Sequence, residues 1–427
     1  MGNSVVLKGN LLYSTQLNEI TALPDHYLVC ENGTVSGVFA QLPERFSGLE
    51  LRDYGDRLII PGLVDLHMHA PQYTYRGLGM DMELLDWLNV HTFPEEAKYA
   101  DLDYAQRAYE IFVRDLARSA TTRISLFATI HREATELLME LLERSRGVKA
   151  LVGKLNMDRN SPDYLREASA AAAAEDTALW IAQTRGRFQN VAPIITPRFT
   201  PSCTNALMER LGRLQRETGV PVQSHLSENG SEIALVQELC PDTRNYGETY
   251  SRYGLFGGEG CPTIMAHCVH CPEEEIDAMQ NNGVFVAICA QSNTNICSGV
   301  APIRTYLDRK MRVGLGTDIA GGAHLSVFRA MVDAIQASNL RWRLLDDRLK
   351  PLSVAEAFYL GTKGGGAFFG KVGSFEEGYE CDAVVLDDEN LPHPQPMSLI
   401  ERLERLVYLS DERNVYAKFV AGQAVDL

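Results

Sequence analysis

The sequence predicts an α/β protein: a TIM-type (β/α)8 barrel carrying a small β-sandwich domain formed from both termini. Short apolar runs alternate with longer amphipathic segments, which is the rhythm of parallel strands joined by helical crossovers. Eight such runs occur in the 427-residue chain, the number a TIM-type barrel requires. Residues 1–59 and 371–427 read differently, as short alternating segments with the turn signals of hairpins in "HYLVCENGTVSGVFA" and "YECDAVVLDD". The expected division is 1–59 and 371–427 for the small β domain and 60–370 for the barrel.

The eight runs are "GLVDLHMH" from Gly62, "TTRISLFAT" from Thr121, "VKALVGKLN" from Val148, "VAPIITPRF" from Val191, "PVQSHLSE" from Pro221, "PTIMAHCV" from Pro262, "VFVAICAQS" from Val284 and "RVGLGTD" from Arg312. Between the third and fourth, Ser161-Pro162 offers a helix start, and the alanine run Ala170 to Ala174 gives that helix a high propensity. The insertion from Gln72 to Ala100 follows the first strand. It therefore belongs on the C-terminal face of the barrel, where a loop can cover a pocket.

Composition excludes several classes of function. The net charge of −16 disfavours nucleic acid, whose grooves demand clustered Lys and Arg. The opening "MGNSVVLKGNLLYSTQ" lacks the apolar region of a secretory signal, and no run approaches the roughly 20 apolar residues of a membrane span. Val6 stands where a myristoylation signal needs Ser or Thr. Nine cysteines, an odd number scattered along the chain, suit reduced thiols. A cytoplasmic protein with neither nucleic-acid nor membrane partners is the expectation.

The chemistry collects at the strand ends. His67 and His69 close the first run, Arg198 the fourth, His225 the fifth, His267 the sixth and Asp318 the eighth. In a strand, residues two apart face the same side, so His67 and His69 can approach one ion. Taken singly, a strand-end His is more often just hydrogen-bonded, and an Asp after "GLGT" can simply cap a helix. A barrel brings all of these ends into one ring, and several His with an Asp suit a borderline divalent metal such as zinc, with iron or manganese sharing the same ligand types. His26, His91, His324 and His393 are expected outside strands. Glu228, three residues beyond His225, is an ordinary first-turn carboxylate in isolation. Beside a metal ring it becomes a proton shuttle.

Two competing motifs fail on spacing. "CPTIMAHCVHC", residues 261–271, has no second Cys-x-x-Cys partner for a structural zinc site, so its thiols are read as partly buried. "HRE" at His131 to Glu133 mimics the His-x-Glu of cytidine-deaminase-type enzymes, but the Pro-Cys-x-x-Cys that they require does not follow.

Across nearly its whole length, through "PGLVDLHMHAPQY", "LLDWLNVHTFPEE", "SLFATIH", "VGKLNMD", "TPRF", "SHLSEN", "MAHC", "GLGTDIAGG" and "YLSDERNV", the sequence resembles the amidohydrolase superfamily and, within it, the guanine deaminase family. The strand-end His and Asp residues mark the superfamily; "HAPQY", "TFPEE" and "TPRF" point to guanine. The resemblance implies one zinc per subunit on His67, His69, His225 and Asp318, with Glu228, His267 and Asp318 as the catalytic residues. It implies contact with the base through His69, Ala70, Pro71, Gln72, Arg198, Phe199, His225, Leu226, Ser227, Glu228 and Asp318. The implied reaction is hydrolytic deamination of guanine to xanthine and ammonia by a homodimer. Arg198 in place of a carbamylated lysine or bridging carboxylate favours a single metal.

One departure stands out: Ala290 follows Cys289 where the family often has proline, which weakens the match around Ser292 and Asn293. Rival substrates are 8-oxoguanine, a pterin, a triazine or a thioadenosine-type nucleoside. A rival of another class is an inactive scaffold barrel.

Overall fold

In the computed structural model, which describes residues 3–427, seventeen strands form four sheets. The first four are β1 (Val5–Gln16), β2 (Glu19–Glu31), β3 (Thr34–Phe39) and β4 (Leu51–Pro61). The middle of the chain supplies β5 (Leu63–His69), β6 (Thr121–Phe127), β7 (Lys149–Gly153), β8 (Leu155–Asn156), β9 (Val191–Pro193), β10 (Thr196–Pro197), β11 (Val222–Leu226), β12 (Thr263–His267), β13 (Phe285–Ile288) and β14 (Arg312–Leu315). The last three are β15 (Ala383–Leu386), β16 (Val415–Val420) and β17 (Gln423–Ala424).

Each of the eight apolar runs contains a strand. They pair in parallel as β5-β6-β7-β9 and β11-β12-β13-β14, while the short β8 and β10 pair with each other. Every residue of β5, β6, β11, β12 and β13 is buried. That burial on both faces is why these strands read as continuous apolar runs rather than alternating ones. The two sheets are joined on both sides. Ile195 bridges Val222, and after β14 Asp318 N donates to His67 O at 2.8 Å while Ile319 O accepts from His69 N at 2.8 Å.

Helices follow the strands and cover them. Leu102–Arg118 starts because Asp101 caps it, its carboxylate accepting from Asp103 N and Tyr104 N. It buries Ala105, Ala108, Tyr109, Phe112, Val113 and Leu116, a stripe at helical spacing. At its end Lys418 Nζ donates to Leu116 O and Ala117 O at 3.3 and 3.2 Å, adding to the Ser119 N–H that caps Leu116 O. The expected Ser-Pro helix start is corrected. Pro162 opens a short 3-10 turn, and the helix runs Ala170–Thr184 with Ser169 as its cap. Ser169 accepts from Ala172 N, whereas the Ser161 hydroxyl has no partner.

Both ends of the chain meet in one seven-stranded sheet, ordered β17-β16-β15-β4-β1-β2-β3. It surrounds its own apolar cluster, including Leu7, Leu28, Val35, Ile59, Phe375, Val385 and Phe419. Arg123 in β6 ties the sheet to the rest of the chain. Its Nε donates to Asp382 Oδ2 at 2.5 Å and its Nη2 to Asp382 Oδ1 at 2.9 Å, with all partners buried. His26 lies within β2 rather than outside a strand. The "LPD" before it reads as a turn, but the chain takes only a local irregularity there, with Asp25 at φ 51° and a register shift between Gly9 and Leu11.

Candidate active site and metal centre

The ends of β5, β11, β12 and β14 point into one buried cluster. His67 Nε2 lies 3.2 Å from Asp318 Oδ1, His69 Nε2 3.4 Å from the same oxygen, and His69 Nε2 3.3 Å from His225 Nε2. An ion bound tetrahedrally at about 2.0 to 2.1 Å from its ligands has ligand–ligand edges of about 3.3 Å. These three contacts match such edges, and His67, His69 and His225 form one compact buried trio with Asp318 beside His67 and His69. His67 Nε2 is moreover a buried nitrogen with no hydrogen-bond partner, a costly arrangement unless an ion uses it.

The supporting contacts aim these donors. His225 Nδ1 donates to Arg198 O at 2.6 Å, which fixes the ring and leaves the Nε2 lone pair for a ligand. Burial holds the His69 and His225 imidazoles well below their ordinary titration range, so both are neutral. Asp318 is buried too. Burial opposes its charge, but His67 and His267 outweigh that and hold the carboxyl down at about 2. Neutral imidazoles and an ionised carboxylate are the forms that bind metal. A second grouping, His67, His267, Asp318 and Cys289, is a poorer set, because burial keeps the Cys289 thiol protonated.

Backbone conformation at the strand ends is unusual. Ser227, His267 and Asp318 have φ of 47°, 71° and 47°, left-handed values that cost non-glycine residues energy and gather at functional sites. Gly316 allows close approach here, since a Cβ would sit 2.9 Å from Cys289 Sγ and 2.9 Å from His67 Cβ.

Beside the donors lies a cavity of about 360 Å³, open solvent at its mouth included, lined by His69, Gln72, Arg198, Phe199, His225, Glu228, His267 and Asp318. Leu84, Trp87 and Leu88 also line it, so the insertion after β5 does cover the pocket. Burial, with Asp318 adding to it, pushes the Glu228 carboxyl well above the carboxylate range, and Ser298 Oγ donates to its Oε1 at 3.3 Å. Its Oε2 is 3.4 Å from His267 Nε2, while His267 Nδ1 meets Asn293 Oδ1 at 2.8 Å.

Of the residues expected to meet a ligand, four do not line the cavity with side chains. Ala70 and Leu226 pack into the main apolar core, and Pro71 is buried in the turn after β5. Ser227 Oγ turns away to donate to Glu275 Oε2 at 2.7 Å. Two residues absent from the sequence reading belong to the site's surroundings, Asp65 in β5 and Glu96, which faces Gln72 and Arg198; Asn293, where the sequence match weakened, meets His267. For Glu96 the only hint was its place in "TFPEE".

Comparison with known proteins agrees with this geometry. The amidohydrolase family model matches residues 58–425.

The chain belongs to the amidohydrolase family.

Within that family it is 34% identical to a guanine deaminase of Dictyostelium discoideum, covering 98% of each chain. It is 35% identical to the guanine deaminase of Escherichia coli K12, covering 90% of this chain and 86% of that one. Among solved structures it superposes with TM-score 0.96 and 46% identity on guanine deaminase from C. acetobutylicum with guanine bound in the active site, covering 99% and 100% of the two chains. Among the described residues no helix is long and apolar enough to cross a membrane, and the cysteines of "CPTIMAHCVHC" are free, with Cys261 and Cys268 buried and Cys271 half-buried.

Proposed function

We propose that this amidohydrolase deaminates guanine by hydrolysis, giving xanthine and ammonia. The observation that carries the reading is the cavity wall. Arg198, Gln72 and Phe199 share one small cavity with His69, His225, Asp318, Glu228 and His267. Guanine is flat and edged by a carbonyl, ring nitrogens and an amine. Arg198 donates to the carbonyl, Gln72 donates and accepts, and the Phe199 ring bounds the plane. The relatives compared above, which share 34 to 46% of its residues over most of the chain, are guanine deaminases.

His67, His69, His225 and Asp318 are the residues to hold one zinc ion per chain. When bound, the ion supplies Lewis acidity that brings a water to its reactive, deprotonated form near neutral pH. Glu228, kept protonated by burial, delivers a proton to a ring nitrogen as water adds to the amine-bearing carbon. The second oxygen of Asp318 takes a proton, and His267, oriented by Asn293, steadies the polarised centre. Asp318 returns its proton to the amine, Glu228 takes the proton of the added hydroxyl, and the carbon–nitrogen bond breaks to release ammonia as the oxo group forms. Ala70, Pro71, Leu226 and Ser227 contribute main chain to the rim.

The same reading takes the two bridged parallel sheets as one closed TIM-type (β/α)8 barrel over residues 60–370. It takes the terminal sheet, 1–59 with 371–427, as a small β-sandwich domain, and the assembly as a cytoplasmic homodimer. Incubation with guanine in 18O-labelled water tests the function. Xanthine and ammonia should appear one to one, with label in the new oxo group; guanine recovered unchanged would overturn the proposal.

A further inference from the structure

Behind the cavity, and outside its lining, sits Glu96. It belongs to the short helix Phe93–Ala97 of the insertion after β5 and is fully buried. A buried carboxylate must be paired, and Glu96 is paired three times. Arg198 Nη1 donates to its Oε2 at 2.6 Å, Arg198 Nη2 to its Oε1 at 3.1 Å, and Gln72 Nε2 to its Oε1 at 2.9 Å. Gln72 Oε1 in turn accepts from Ala320 N at 3.2 Å.

These contacts decide the orientation of an amide that would otherwise turn freely. An ionised carboxylate only accepts and a backbone N–H only donates, so Gln72 has one permitted orientation between Glu96 and Ala320. What remains for a ligand is one N–H and one carbonyl lone pair, in a fixed order. The bidentate grip likewise fixes the plane of the Arg198 guanidinium, which also lies over the Phe93 ring with its carbon 5.3 Å from the ring centre. Because Glu96 supplies the counter-charge, Arg198 offers donors without an unpaired positive charge. That combination favours a neutral base with an oxo group beside a ring N–H over an anion.

We propose that Glu96 is the positioning residue that sets substrate specificity, by locking the donor and acceptor order of Gln72 and Arg198. The inference rests on the proposed guanine deamination. Its test compares kcat/KM for guanine with that for 2-aminopurine, which keeps the reacting amine and lacks the oxo group. Rejection of an analogue that leaves a buried hydrogen-bonding site unpaired reaches roughly 10^4-fold.

In the metal-loaded Glu96→Gln variant the guanine preference should fall at least tenfold, with metal content at the wild-type level. Gln at position 96 can donate as well as accept, so it no longer dictates the Gln72 orientation. In a Gln72→Met background the same change should alter the preference less than it does alone, since only the Arg198 arm of the lock is left to lose. Should Glu96→Gln not fold, Glu96→Asp reads the same ratio, keeping the charge while withdrawing by one methylene. Equal losses on both substrates, or the full effect repeated in the Gln72→Met background, would overturn the proposal. A wild-type protein inactive on guanine overturns the functional reading and this inference together; an active wild type with an unchanged ratio overturns only the role of Glu96.

Discussion

Asp65, the third residue of β5, holds Thr317, the second residue beyond β14, at both of its carboxylate oxygens. Thr317 N donates to Oδ1 at 3.0 Å and Thr317 Oγ1 to Oδ2 at 2.5 Å, while His67 N also donates to Oδ1 at 3.2 Å. The carboxyl is fully buried, and burial pushes it up to about 6 despite these donors. One side chain thus joins the first and eighth strands one residue from Asp318 and two from His67.

Asp65→Ala is therefore expected to act twice. Leaving the Thr317 hydroxyl and two buried N–H groups unpaired should cost about 3 kcal/mol, measurable by urea denaturation. Loosening residues that aim metal donors typically lowers metal affinity by roughly 10- to 100-fold, which chelator competition measures. Unchanged metal affinity in a folded variant would mean that the bond serves only the fold.

Glu228→Gln separates chemistry from binding. Glu228 is a cavity residue but not one of the four proposed metal donors, so metal content should stay at the wild-type level. Turnover should fall by at least about 10^2-fold, the lower end of what general acid–base catalysis contributes. Wild-type turnover in this variant would remove Glu228 from its proposed role.

Lys418 gives the protein a pH-dependent term far from the active site. Its ammonium is buried, and burial lowers it from 10.5 to about 7 although Asp382 opposes the shift. Between pH 7 and 10.5 the folded state carries a neutral amine while the unfolded chain binds a proton. Stability from this group thus rises with pH across that window and is flat below it. Denaturation midpoints at pH 7 and pH 9.5 should show a rise in the wild type that is smaller in Lys418→Met; identical slopes would contradict the assignment.

The strands that build the site were legible because burial on both faces writes them as unbroken apolar runs, and His67, His69, His225, His267 and Asp318 stand at or just beyond their ends. Asp65 and Glu96 were not legible. Within "GLVDLHMH" Asp65 is one polar residue beside two histidines, and its partner Thr317 lies 252 residues away. Glu96 reads as an ordinary acidic residue in the first turn of a helix. Only the return of the insertion over the strand ends brings it to Arg198, 102 positions later. Asn293 was obscured by the departure at Ala290, yet it meets His267 from helix Ala290–Asn295, which starts at that alanine. His26 was misplaced because "LPDH" carries turn residues that the long β2 absorbs as a local irregularity.

The measurement that bears most directly on the central claim is ammonia release across guanine, 8-oxoguanine, a pterin, a triazine, cytosine and adenosine derivatives, with metal content determined on the same sample. Guanine should be the best substrate of the panel, at close to one divalent ion per chain. Turnover of another amine with none of guanine would contradict the substrate, and a metal-free, inactive protein would contradict the chemistry itself.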